Sequence, residues 1–398
     1  MSTPSAAAST PIASPPPTAD PTLSPTPSHA LSTWVAAAPM LHGRQGFDAV
    51  LLGDGTVLAV GDDYACVPGG ASDGSQRAEL YDPTTDAWID VEDLNKPRKS
   101  FATVALGDGT ALVAGGVNAD DVPYSSTWVF DPSTRDWRTG GLLNRALAEP
   151  VMTAMVDGRA LLVGGWGLRG ADRRSTAEIY DPGTALWTQA GSLPVNVLAV
   201  DVVALADGRA LALGLDFTDS EPQRTTYVFD ALSGTWTRVD FVPNPYGFDL
   251  VPITDGGALA IGGNNGGELE GGDGSVMDWV NRYDSTSGAW VAQAPMSTPR
   301  IGLQAVTLVD GRVLVAGGAV RDQRTSGELV SSAELYDPST DRWSAVGDLL
   351  EPRKDGLAVV LQDGSVLVLG GNASFNGQGE TPFCPPPLTS VERLYPGP

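Results

Sequence analysis

An Asp-Gly pair set behind a short apolar strand returns along this chain at Asp54, Asp108, Asp157, Asp207, Asp255, Asp310 and Asp363, at intervals of 54, 49, 50, 48, 55 and 53 residues. Self-similarity at such a period means that each unit is one supersecondary block, unable to bury its own faces and dependent on its neighbours for a core. Seven turns therefore predict seven units. The 48 glycines and 31 prolines agree with a turn-dense chain and argue against long helices, while 42% hydrophobic residues allow a large buried core.

Each unit carries the same further marks. About seven residues after the turn comes a glycine pair: Gly115 with Gly116, Gly164 with Gly165, Gly262 with Gly263, Gly317 with Gly318, and Gly370 with Gly371. The first and fourth units keep one glycine, as Gly61-Asp62 and Gly214-Leu215, where positive φ or close backbone packing is expected. A strand such as Ala-Glu-Leu-Tyr-Asp-Pro follows (Ala78 to Pro83, Ala333 to Pro338), then a short turn and a tryptophan: Trp34, Trp88, Trp137, Trp187, Trp236, Trp290 or Trp343. Asp-Gly suits a tight hairpin needing positive φ, Asp-Pro starts a turn, and segments such as Ala111 to Ala114 and Arg312 to Ala316 read as buried strands. Each unit is then four strands, here a, b, c and d. Seven such sheets packed radially, with the tyrosine and tryptophan filling the gaps between neighbours, make an all-β, seven-bladed β-propeller.

The paired glycines, the Tyr-Asp-Pro and the spaced tryptophan resemble the kelch repeat over residues 34 to 398, and a unit of about 50 residues is longer than the usual WD40 period. The chain opens on a lone tryptophan segment (Trp34 to Met40) and ends on a lone third-strand segment (Val391 to Pro396), so the N-terminal strand is expected to be strand d of the last blade, a 3+1 closure that leaves no free edge. Cys66 and Cys384 then fall in b-c loops of neighbouring blades. Joined as a disulfide they would close a loop worth about 4 to 5 kcal/mol in the chain-entropy picture; otherwise they are two unrelated thiols.

Residues 1 to 33 are rich in Pro, Ser, Thr and Ala, hold Asp20 as their one acid and contain no Lys or Arg. They lack the basic and apolar regions of a signal peptide and are expected to be a disordered leader or linker; such tracts commonly space a domain from a cell surface, which points to an exported or surface-tethered protein. Three lysines (Lys96, Lys99, Lys354) beside abundant Ala, Gly, Asp and Arg lean toward GC-rich bacterial coding. No run of about 18 apolar residues predicts a transmembrane helix. With 48 acidic against 24 basic residues and a net charge of −24, nucleic acid is not an expected partner.

Kelch propellers include peptide-binding adaptors, carbohydrate-active oxidases and structural modules, so the resemblance leaves function open. The radical copper oxidases of this group, resembling galactose oxidase, need two histidines and a tyrosine-linked cysteine around copper; this chain has only His29, in the leader, and His42, in a connection. No serine-histidine-aspartate set or phosphate-cradling Gly-Lys-Ser/Thr is evident. The acidic loop from Asn264 to Asp278, with Glu268, Glu270 and Asp273, lacks EF-hand spacing. No metal or cofactor is expected.

Register supplies the candidate site. Arg44, Arg98, Arg300 and Arg353 each lie ten residues before the Asp of their own turn, where the remaining units have Leu147, Val197 and Pro245. In a closed ring they form one arc over blades 6, 7, 1 and 2, at the d-a connections near the channel mouth. Such an arc is expected to attract a carboxylate, sulfate or phosphate, the alternative being that Pro-Arg is repeat consensus at strand ends. Tyr64, Tyr124, Trp166, Phe217, Phe375 and Phe383 are expected on the same face, to stack on sugars or anchor a peptide. Asp48, Asp201 and Asp249 lie six residues before their turns, on strands that line the channel. The expectation is a monomeric binding module for an anionic protein segment or glycan, with Arg44, Arg98, Arg300, Arg353, Tyr64, Trp166, Phe217, Asp48, Asp201 and Asp249 as ligand contacts. Its alternatives are a carbohydrate lyase or hydrolase using the channel carboxylates, and a structural assembly module.

Overall fold

The computed structural model describes residues 33–61, 76–167, 175–193, 197–218, 223–239, 247–265, 274–320, 328–373 and 387–397. Their strands form seven antiparallel four-stranded sheets. Six are built from consecutive strands, the first being β2 (Asp48–Leu51), β3 (Val57–Val60), β4 (Ala78–Asp82) and β5 (Ala87–Val91). The seventh takes β26 (Leu357–Val360), β27 (Val366–Leu369) and β28 (Val391–Leu394) from the C-terminal end and β1 (Trp34–Ala37) from the N-terminal end. Trp34 pairs with Leu394 and Ala37 with Val391, so the expected 3+1 closure is present.

Strand b is an unbroken apolar run because both its faces are covered: in six blades, β3 and β27 among them, every residue is buried. The cores lie between blades. One cluster joins Val57, Ala59, Tyr81 and Trp88 of blade 1 to Leu367, Leu369 and Val391 of blade 7. In six blades the tryptophan packs on the aromatic residue beside it, with centroids 4.9 to 5.4 Å apart. In four of these blades the indole also donates to a backbone carbonyl of the preceding blade or connection, as where Trp88 Nε1 donates to the Ala38 carbonyl at 2.9 Å and Trp343 Nε1 to that of Ala294 at 2.8 Å. One residue thus supplies both apolar area and an inter-blade hydrogen bond.

The seven a-b turns share one chemistry. Each Asp Oδ1 accepts the N–H two residues on, from Thr56 at 3.0 Å through Ser365 at 3.0 Å, while the glycine between takes a φ of 81° to 93°. The glycine pairs act between blades. Gly116, Gly263, Gly318 and Gly371 donate their N–H to the carbonyls of Leu147, Arg300, Arg353 and Arg44 in the next blade, at 2.7 to 3.0 Å. Gly61 has the expected positive φ, whereas Gly214 sits inside the long strand β15 (Arg209–Asp216) and is required by close approach: a Cβ there would lie 2.8 Å from the Leu198 carbonyl.

Residues 1–32, Tyr64, Cys66, Pro245, Glu268, Glu270, Asp273, Phe375, Phe383 and Cys384 lie outside the described residues, and with them the leader and the cysteine pairing.

Candidate binding face and channel wall

The d-a connections run beside the b-c loops through single bridges, Lys99 with Val117, Ala148 with Trp166, Ile301 with Ala319 and Lys354 with Asn372. One face of the ring therefore carries both, and the opposite face carries the a-b and c-d turns.

The four register-locked arginines sit at these connections, but their side chains point inward. All four are 0% exposed. Each Nη1 donates to the carbonyl of the glycine seventeen residues on: Gly61 for Arg44, Gly115 for Arg98 (2.9 Å), Gly317 for Arg300 (2.8 Å) and Gly370 for Arg353 (3.1 Å). The same nitrogen reaches the carbonyl at the start of strand c, on Arg77, Ser126, Ser332 or Ser390, and in the last three blades Nη2 takes the serine hydroxyl. Each guanidinium thus ties a connection to the ends of strands b and c. Leu147 and Val197 fill the equivalent positions of blades 3 and 4 and are likewise buried, which marks the position as a core socket.

Countercharge comes from strand c. Glu79, Glu334 and Glu392 pair with Arg44, Arg300 and Arg353 at 2.6, 3.0 and 2.8 Å. These glutamates also accept N–H groups of the connection: Leu41 at 2.6 Å on Glu79, Ser297 at 2.9 Å on Glu334, and Leu350 at 2.5 Å and Glu351 at 3.1 Å on Glu392. In blade 3 Glu178 keeps that second duty alone, accepting from Asn144 N–H and Nδ2. Blade 2 inverts the arrangement, with Trp128 where the glutamate would be. Arg98 there has neutral acceptors and the Tyr124 ring 4.9 Å away, and burial pulls its pKa down to about 10. The expected exposed crescent is therefore corrected: Arg44, Arg98, Arg300 and Arg353 form a buried set of buckles, and the charges of Arg44, Arg300 and Arg353 are balanced inside the wall by Glu79, Glu334 and Glu392. The glutamates had gone unassigned, although Ala-Glu-Leu-Tyr-Asp recurs in blades 1 and 6, two of the blades that carry the arginine.

Asp48, Asp201 and Asp249 are half-buried on the inner strands. Asp249 Oδ2 accepts the Ala305 N–H of blade 6 at 2.7 Å. Asp201 Oδ1 accepts the N–H of its neighbour Val202 at 2.7 Å, and Asp48 and Asp201 face Thr103 of blade 2 and Leu250 of blade 5. Desolvation raises Asp48 to about 6 and Asp201 and Asp249 to about 7, with Asp249 adding repulsion at Asp201 and Asp355 at Asp249.

On the outer surface of the loop face, Trp166 and Phe217 are half-buried, Trp166 Nε1 donating to Glu149 Oε2 at 3.1 Å. Tyr124 lies between Arg98 below and Lys96, whose Nζ is 6.0 Å from the ring centre. Lys99 pairs with Asp121 and Lys354 with Asp355, each at 3.0 Å. His42 faces Asp90 at 3.4 Å and Arg77 at 3.2 Å on the blade 1 rim. The other histidine of the chain, His29, lies outside the described residues.

The kelch motif matches residues 98–141 and 303–350. An F-box/kelch-repeat protein of Arabidopsis thaliana is 33% identical over 153 residues, 37% of each chain, and kelch-like protein 35 of Mus musculus is 28% identical over 173 residues, 44% of this chain and 27% of that one. The matched regions thus span about a third or less of these relatives' own length. Among solved structures, a fungal alcohol oxidase of the AA5 family in complex with copper superimposes with a TM-score of 0.68 at 17% identity, covering 92% of this chain and 77% of the other, a likeness of fold. The seven closed four-stranded blades, their glycine pairs and tryptophans, and these matches agree: the chain is a seven-bladed β-propeller built of kelch-type repeats.

Proposed function

We propose that this propeller is an interaction module that receives a protein or glycan partner on the face formed by its b-c loops and d-a connections, displayed outside a bacterial cell on the Pro/Ser/Thr-rich leader. The observation that carries this reading is a contrast between the two faces. Turns c-d in blades 1 to 6 all hold four residues between strands and the a-b turns four or five, whereas the b-c loops run from six residues between Asp216 and Gln223 to twenty-one between Leu369 and Val391. The scaffold is held constant and the variation is confined to one face, as it is where rigid frames present recognition loops. Kelch propellers typically serve as protein-interaction modules, which supports the same reading. Trp166 and Phe217 are the proposed aromatic contacts. An anionic preference rests on blade 2, where Lys96 and the acid-free Arg98 bracket Tyr124. Asp201 and Asp249 are engaged with backbone N–H groups, which favours binding over carboxylate catalysis.

An array of glycans and acidic peptides, probed with wild type, Trp166→Ala and Lys96→Glu, tests the face; Leu232→Asp, on the opposite face, is the control. Signal lost with Trp166→Ala and weakened by Lys96→Glu, but kept by Leu232→Asp, is the expected result. Signal lost only with Leu232→Asp would move the site to the turn face.

A further inference from the structure

In a propeller the inner strand of each blade is a sheet edge, and N–H groups along it have no ladder partner. One of them is met by a carboxylate of the preceding blade, Asp249 Oδ2 accepting the Ala305 N–H of blade 6 at 2.7 Å. Asp48 and Asp201 occupy the same inner-strand position on blades 1 and 4, each facing the N–H one residue beyond that position in the next blade, on Thr103 and Leu250. The 3-to-4 junction makes a comparable link with a group that does not titrate, the Thr153 hydroxyl oxygen accepting Ala204 N–H at 3.1 Å. Asp201 and Asp249 stand on consecutive blades, 4 and 5.

We propose that Asp48, Asp201 and Asp249 are proton-controlled clasps between neighbouring blades, which hold the ring most firmly in mildly acidic solution. A neutral carboxyl group still offers its carbonyl oxygen to the N–H and has little to lose by leaving water. The carboxylate accepts the same bond but must bury a charge. Across the 4-5-6 sector the charges also face one another: Asp249 acts on Asp201, and Asp355, itself paired with Lys354, acts on Asp249. Asp48 faces Thr103, and among the described residues no charged group adds to its shift.

The direction follows from proton linkage. The three carboxyls move from an ordinary 3.8 to about 6, 7 and 7 in the fold, so between roughly pH 4 and 7 the folded chain holds protons that the unfolded chain has released. Their contribution to stability is therefore greatest at the acid end of that window, declines as pH rises through it, and is constant beyond about pH 8. The turn carboxylates Asp82, Asp131 and Asp337 are shifted the other way by hydrogen bonds from Thr84, Ser133 and Ser339, so they titrate below this window and do not obscure it.

The test is thermal melting of the full chain at pH 5 and pH 8, with backbone protection at Thr103, Leu250 and Ala305 followed by hydrogen exchange. Wild type is expected to melt several degrees lower at pH 8, with reduced protection at these three amides. Asp201→Asn/Asp249→Asn keeps an acceptor oxygen and removes the titration, and should recover most of that difference at pH 8. Asp93→Asn/Asp120→Asn makes the same charge change at exposed positions and should retain the wild-type slope. Equal flattening by both double variants would assign the effect to net charge and overturn the proposal; an unflattened slope in Asp201→Asn/Asp249→Asn would overturn it too. Should that double variant not fold, Asp48→Asn gives an independent reading at the 1-to-2 junction: a partial recovery supports the clasp and none refutes it.

Discussion

Arg353 and Glu392 show how a charged pair comes to belong inside a propeller wall. Arg353 holds the Gly370 and Ser390 carbonyls and the Ser390 hydroxyl, and Glu392 holds the Arg353 guanidinium and two connection N–H groups. The two losses should be unequal. Blade 3 already places Leu147 in the arginine socket above Glu178, so Arg353→Leu has a natural template, whereas Glu392→Ala leaves a buried guanidinium and two N–H groups without an acceptor. We expect Glu392→Ala to destabilise by about 3 to 5 kcal/mol, and by more than Arg353→Leu, in urea denaturation. The arginine register was legible in the sequence because spacing from the turn is a local property. Its direction was not, since the glutamates that hold it lie 34 to 39 residues away and meet it only once strands a, b and c are in register.

Blades repeat as elements because each glycine and tryptophan answers a demand of the neighbouring blade. Gly317 has a φ of 61°, and a Cβ there would lie 2.5 Å from the Arg353 carbonyl; Gly234, at 69°, has open space around it. Gly234→Ala should therefore cost only the left-handed backbone penalty, about 1 to 2 kcal/mol, and Gly317→Ala clearly more, since backbone of the next blade would have to move. Denaturation midpoints of the two variants measure the difference. These positions could be marked from sequence as glycine-requiring, but the reason differs between them. At Gly214, where φ is not positive, the requirement is close approach within its own blade, to the Leu198 carbonyl and the Val197 side chain.

At the scale of the whole molecule, stability depends on joining the two chain ends in one sheet. β1 supplies four residues to blade 7, and Trp34 packs with Leu314 and Leu335 of blade 6 as well as with Leu394. Removing residues 1–38 should expose the β28 edge and the flank of blade 6, giving a chain that associates on size exclusion and melts well below wild type; removing residues 1–32 should leave melting unchanged. The sequence by itself determined the number of blades, their four-strand content, the 3+1 closure and the turn chemistry, because each is written in local residue patterns repeated seven times. Tertiary structure decided which side of the wall the arginines face and what the channel carboxylates meet. Both depend on acceptors and donors supplied by distant strands, and burial in a wall between blades reverses what an isolated Arg or Asp would prefer.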